Sequence, residues 1–192
     1  MPVIRATERR RMPWKNGGGE TMEIAVSPDG APLDAFDWRI STAHVGASGP
    51  FSIFPGVDRT LSVLGPDGIL LDFGERGIVR LDRASAPYRF PADLAVEGRL
   101  LDGPIDDVNV MTRRGRCRHH VARRQIDTPL SLSRRGDVTV ILLVQAALQA
   151  TFGERSIPLA AGDAVVLDEA ESGIDLVPDA PSDLFVIDFW RD

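Results

Sequence analysis

Of the 22 lysine and arginine side chains in this sequence, one is a lysine: Lys15, set in Pro13-Trp14-Lys15-Asn16-Gly17-Gly18-Gly19-Glu20-Thr21. A compact ammonium does not substitute for a planar guanidinium. A lone lysine beside three glycines therefore marks a place where a point charge is wanted, set against the plainer reading of a glycine turn with a chance lysine. Asparagine is as scarce, with only Asn16 and Asn109. After Gly103-Pro104, strand alternation puts Asp107, Asn109 and Met111 on one face and Val108 and Val110 on the other. A carboxylate and an amide aimed into an apolar interior are costly unless they bind each other, water or a ligand; the alternative is a solvated Asp106-Asp107 turn with Asn109 capping backbone. Arg39 and Arg59 could together clamp a carboxylate, each offering a fork that matches two oxygens, with Phe51 and Phe54 as apolar walls. The rival reading pairs those arginines on the surface with Asp37 and Asp58.

Other chemistries lack their residues. His119 and His120 are adjacent and so point to opposite faces of a strand, His44 is far away in sequence, and no metal or other cofactor is expected. No Gly-x-Ser-x-Gly is present. Gly17 to Gly19 lack the Gly-Lys-Ser/Thr ending of a phosphate loop. Cys117, the single cysteine, lies among Arg114, Arg116, Arg118 and His119, which would lower its thiol pKa if it were exposed. A net charge of −6 and a pI near 5.1 argue against nucleic acid and anionic membrane as partners, and the arginine-rich residues 113–124 carry no aromatic residue for stacking on bases. That stretch reads as a solvated connection. Arg9-Arg10-Arg11 is not followed by an apolar run, and residues 138–148 are too short and too interrupted to span a bilayer. A cytoplasmic protein is expected.

The elements that must position these residues are short strands. Eighteen glycines and 14 prolines punctuate apolar or alternating runs of five to nine residues. Residues 38–45 form one such run, placing Arg39, Ser41 and Ala43 on one face. Residues 60–64, the Gly65-Pro66-Asp67-Gly68 turn and residues 69–73 read as a hairpin. Residues 144–151 are read as strand. Phe73-Gly74-Glu75-Arg76 recurs as Phe152-Gly153-Glu154-Arg155, each copy after a pair of apolar strands. The expectation is an all-β chain of two tandem antiparallel barrels or jelly rolls, covering residues 1–115 and 116–192. Barrel edges of this kind often pair between subunits, so a homodimer is an expected assembly.

Four motifs in order, Pro13-Trp14-Lys15-Asn16-Gly17-Gly18-Gly19-x-Thr21, Phe36-x-Trp38-Arg39-x-Ser41, Gly49-Pro50-Phe51-Ser52-x-Phe54-Pro55-Gly56-x-Asp58-Arg59 and Asp102-Gly103-Pro104-x-x-Asp107-x-Asn109-x-Met111-x-Arg113, resemble the HutD/Ves family. The resemblance implies a bicupin, two cupin-like β-barrels in one chain. Gly162-Asp163 resembles the Gly-Asp strand of a cupin, whereas the metal-binding histidines of cupins are absent. The matching polar positions are Lys15, Asn16, Thr21, Arg39, Ser41, Arg59, Asp107 and Asn109. HutD proteins are associated with histidine utilisation and with binding a small acidic intermediate such as N-formylglutamate, and Ves-like members with stress responses. The resemblance thus implies a metal-independent sensor or regulator in which Arg39 and Arg59 hold carboxylates, Lys15 adds charge, Asn16 and Asn109 read an amide or formyl group, and Phe51 or Phe54 walls the apolar stem. The alternatives are an enzyme on a sugar or amino-acid derivative, with Lys15 as base or Schiff-base former and Asp107 as its acid partner, and a stress-linked partner protein that uses residues 113–124.

Overall fold

The computed structural model describes residues 3–9, 11–14 and 17–192; Lys15 and Asn16 lie outside the described residues. The described residues form nineteen β-strands and two 3-10 turns, as the punctuated apolar runs require. The chain divides into two compact units, Arg9–Arg118, and His119–Asp192 together with Met1–Glu8. In chain order the strands are β1 (Val3–Ile4), β2 (Arg11–Pro13), β3 (Gly19–Ser27), β4 (Trp38–Val45), β5 (Gly49–Pro50), β6 (Val57–Val63), β7 (Ile69–Asp72), β8 (Ile78–Leu81), β9 (Tyr88–Pro91), β10 (Glu97–Leu100) and β11 (Ile105–Arg113). They continue with β12 (Cys117–Ile126), β13 (Leu130–Ser133), β14 (Val138–Gln145), β15 (Leu148–Phe152), β16 (Arg155–Leu159), β17 (Ala164–Leu167), β18 (Gly173–Pro178) and β19 (Ser182–Arg191).

The two units repeat one topology. The N-terminal unit has a six-stranded sheet in the order β2-β3-β4-β11-β6-β9 and a four-stranded sheet β5-β10-β7-β8. In the C-terminal unit, β12-β19-β14-β17 and β13-β18-β15-β16 follow the same order, with β1 added beside β17. The duplicated Phe-Gly-Glu-Arg segments sit at equivalent turns, β7 to β8 and β15 to β16. Each turn begins with a glycine in the left-handed region, Gly74 at φ 64° and Gly153 at φ 56°, a conformation that glycine adopts without steric cost.

Each unit closes its two sheets on an apolar core. In the N-terminal unit Leu61, Val63, Phe90 and Ile105 of the larger sheet pack with Ile69, Leu71 and Leu81 of the smaller one and with Val96 just before β10. In the C-terminal unit Ile141, Leu143, Leu184 and Val186 face Leu148, Ala150, Phe152 and Leu176.

Three local expectations change. The turn at residues 65–68 does not close a hairpin: β6 pairs with β9 and β11, β7 pairs with β8 and β10, and the chain crosses between sheets at this point. Residues 144–151 do not form one strand, because Ala146 at φ 68° turns the chain between β14 and β15. The arginine-rich residues 113–124 are largely strand rather than a solvated connection: alternation in β12 buries Cys117 and His119 and leaves Arg118 and His120 exposed, while Arg123 reaches Asp183 at 2.6 Å. No helix among the described residues is long and apolar enough to cross a membrane.

Candidate ligand site in the N-terminal unit

The register of the six-stranded sheet brings the polar positions together on its core-facing side. Across β6, β11 and β4 the ladder aligns Arg59, Met111 and Arg39; the next inward row holds Leu61, Asn109 and Ser41, with Glu23 of β3 opposite Ser41. The third row holds Val63, Asp107 and Ala43, with Thr21 opposite Ala43. Because side chains alternate with a period of two, these residues share the face of Leu61 and Val63, which are core. Arg39, Ser41, Arg59, Asp107 and Asn109 are buried, Asp107 completely.

Burial of this much charge is tolerated because a relay of hydrogen bonds links it. Arg39 donates through Nε to Glu23 at 2.7 Å and through Nη1 to the Ser41 hydroxyl at 3.2 Å. Arg59 donates from Nε at 2.7 Å, and also from Nη2, to the Asn109 side-chain carbonyl. The Asn109 amide in turn donates to Asp107 Oδ1 at 2.5 Å. Asn109 therefore stands between guanidinium and carboxylate, where a direct ion pair would be expected. Asp107 Oδ2 is left buried without a hydrogen-bond partner, which makes it the conspicuous unmet group of the site.

The electrostatics follow this geometry. Burial pushes the Asp107 carboxyl up to about 6, against the pull of Arg59, the Asn109 hydrogen bond and the Ala43 backbone amide. Burial likewise pushes Arg59 down to about 10, opposed by attraction to Asp107 and reinforced by repulsion from Arg39. Arg59 remains a cation at neutral pH. Its guanidinium lies 4.6 Å from the Phe51 ring centroid and 5.8 Å from that of Phe90, a stacking that suits a weakly hydrated planar cation.

Phe51 is held by a glycine. A Cβ on Gly98 would come 2.4 Å from Phe51 Cε2, so glycine leaves the room that the ring needs beside Arg59. The Phe51 amide donates to the Val96 carbonyl at 2.9 Å, and on its outer side the ring lines a groove of about 360 Å3 with Pro50, Ile53, Ala95 and Val96. Thr21 accepts a hydrogen bond from the Trp14 indole at 2.8 Å. A Cβ on Gly19 would lie 2.2 Å from the His44 carbonyl oxygen and 3.1 Å from the Trp14 ring.

The sequence-predicted residues thus divide. Thr21, Arg39, Ser41, Phe51, Arg59, Asp107 and Asn109 converge on one interior. Phe54 does not stack on either arginine; it packs with Phe36, Val57, Ala92 and Met111. Asp37 and Asp58 do not partner Arg39 and Arg59: Asp37 pairs with Arg116, and Asp58 with Arg89 and Arg114. Sequence reasoning missed Glu23, although Thr21-x-Glu23 carries the strand spacing that puts both on the inward face.

A divalent metal does not fit this donor set. Asp107 and Glu23 lie among two guanidinium groups that repel a cation, and no group of three or more His, Cys, Asp or Glu among the described residues is arranged to hold one. In the C-terminal unit the corresponding ladder rows read Leu143 opposite Leu184 and Ile141 opposite Val186; there the interior is apolar where the N-terminal unit places Asp107 and Asn109.

Known proteins share both the sequence pattern and the fold. The sequence matches the HutD family over residues 6–186. The chain belongs to the HutD family. A relative named Ves from Citrobacter koseri is 39% identical over 116 residues, a match that takes in 58% of the chain and spans 59% of the Citrobacter protein's length. The crystal structure of a conserved protein of unknown function from Pseudomonas aeruginosa PAO1 superposes with a TM-score of 0.87 at 32% identity, covering 98% of this chain and 97% of that one. HutD from Pseudomonas fluorescens SBW25, solved in a formate condition, superposes with a TM-score of 0.80 at 29% identity, over 100% of this chain and 98% of that one. The fold alone extends to an oxalate decarboxylase from Lactobacillus farciminis, with a TM-score of 0.70 at 9% identity, 96% of this chain and 85% of that one. This HutD-family chain is accordingly an all-β, bicupin-like protein.

Proposed function

We propose that this HutD-family protein binds a small acidic metabolite inside its N-terminal unit and acts as a sensor or regulator of histidine utilisation, with N-formylglutamate or a related degradation intermediate as ligand. The observation that carries the reading is the row of two buried arginines, Arg39 and Arg59, beside Asn109 and under Phe51. An anionic ligand can take the place of an internal carboxylate as the partner of a guanidinium group, gaining charge-assisted hydrogen bonds in an apolar interior. The amide of Asn109 is suited to read a carbonyl, and Phe51 to cover an aliphatic stem.

A second reading, acid–base catalysis through Asp107 with Lys15, is favoured by one feature, the elevated carboxyl of Asp107. Thermal unfolding in the presence of millimolar N-formylglutamate, urocanate and glutamate tests the first reading. A ligand at a hundred times its Kd adds about 2.7 kcal/mol of stability. A selective shift that is abolished in Arg59→Ala and weakened in Arg59→Lys supports it; an equal shift in Arg59→Ala sinks the assignment. Consumption of the ligand over time would transfer the case to the enzyme reading.

A further inference from the structure

We propose that the anion enters this interior together with one proton, and that Asp107 carries that proton; the inference rests on the anion-binding reading above. Facing the Asp107 carboxylate are Arg59 from β6, Arg39 from β4 and Glu23 from β3, with Tyr88 of β9 as a neutral titratable neighbour in the next row. Asp106 lies on the opposite face of β11, paired with His44 at 2.9 Å. The facing elements of the smaller sheet contribute Ile69, Leu71 and Gly98, which carry no charge.

Among the described residues of this set the charges cancel: Arg39 is matched by Glu23, and Arg59 by Asp107 through Asn109. A carboxylate ligand adds one negative charge to a desolvated site, and an uncompensated buried charge is expensive. Neutralising Asp107 restores the balance. It is also the group most ready for a proton, since its Oδ2 is fully buried and has no partner, and as a carboxylic acid it becomes a donor to the arriving anion. Arg59, released from its distant counter-charge, is then free for the ligand. The order of events is simple in outline: the ligand's carboxylate replaces the Asp107 carboxylate as the counter-ion of Arg59, and the proton stays on Asp107.

Isothermal titration of the full chain with N-formyl-L-glutamate, formate and glutarate, each in a pair of non-anionic amine buffers of unlike ionisation heat that hold the chosen pH, reads the number of protons taken up from the dependence of the heat on buffer ionisation. Uptake close to one proton per ligand is expected at pH 7.5, falling towards zero at pH 5, with affinity dropping about tenfold per pH unit above neutrality. Asp107→Asn, a near-isosteric change, should remove the uptake and flatten the pH dependence. The buffer comparison on the unmodified chain stands without any variant. Binding with no proton uptake overturns the linkage and leaves the ligand reading intact. Uptake that survives in Asp107→Asn and disappears in Lys15→Met also overturns it, by placing the proton elsewhere. Absence of binding by all three probes removes the ligand reading itself, and the linkage with it.

Discussion

Replacing Asn109 by alanine probes the relay at its centre. The side chain accepts two hydrogen bonds from Arg59 and donates one to Asp107, all within a buried site. Hydrogen bonds to charged groups contribute about 1.5–3 kcal/mol each, but the three share partners and will not add. Removing the bridge leaves a buried cation and a buried carboxylate poorly paired, a situation that costs about 3–5 kcal/mol. For a chain of this size about 1 kcal/mol corresponds to about 2–4 °C, so Asn109→Ala should lower Tm by about 10 °C at pH 8. The loss should depend on pH, with a defined sign. The Asp107 carboxyl sits at about 6 in the folded protein, above its ordinary value of 3.8, so the folded state holds the proton more tightly and stability declines as pH rises between those values. Without the Asn109 hydrogen bond, which favours the charged form, that window moves further up. Asn109→Ala should therefore be closer to the parent chain at pH 5, where Asp107 is protonated in the variant, than at pH 8. Urea denaturation at both pH values measures this. A loss below about 1 kcal/mol, or one equal at the two pH values, would refute the bridging role.

Two further changes test the supports of the two units. Gly98→Ala must displace the Phe51 ring from Arg59 and press on Ile69 as well; a loss of about 1–3 kcal/mol is expected, and a Phe51→Leu, Gly98→Ala double variant should recover part of it, visible as coupling in a thermal-denaturation cycle. Asp183→Ala removes the carboxylate from the largely buried Arg123–Asp183 pair of the C-terminal unit and should cost about 3–5 kcal/mol, read as faster amide exchange in β14 and β19; unchanged exchange there would show that the pair contributes little.

How much of this was legible in the sequence depended on the range of the interaction. Alternation within single strands was readable: Asp107, Asn109 and Met111, and Arg39, Ser41 and Ala43, lie on the faces that a period of two assigns them, and the Phe-Gly-Glu-Arg repeat marked equivalent turns. Pairing between strands was less so. The apolar runs flanking Gly65-Pro66-Asp67-Gly68 look like a hairpin because nothing local distinguishes a tight return from a crossing between sheets. Ala146 gave no warning of a turn, since alanine rarely takes a positive φ. Glu23 was overlooked because its role appears only when β3 is laid beside β4, and the arginine-rich β12 was misread because composition outweighed its alternation. Phe54 followed the motif but packs with Phe36, Val57 and Ala92, since an aromatic three residues before a strand can pack on either side of the loop.

The short β1 strand alters how the whole chain is connected. Val3 and Ile4 pair with Val165 and Ala164, and Arg5 reaches both the Pro158 carbonyl and Asp163, whose other carboxylate oxygen accepts from the Ala6 amide. The first residues thus belong to the unit built by the last ones, and residues 9–118 form a long segment inserted between two parts of that unit. Closing it costs an entropy that grows only with the logarithm of its length, so a two-residue strand and one ion pair can fasten a segment many times their size. Loss of the β1 pairing or of the Arg5–Asp163 ion pair would therefore release that segment from one of its two anchors.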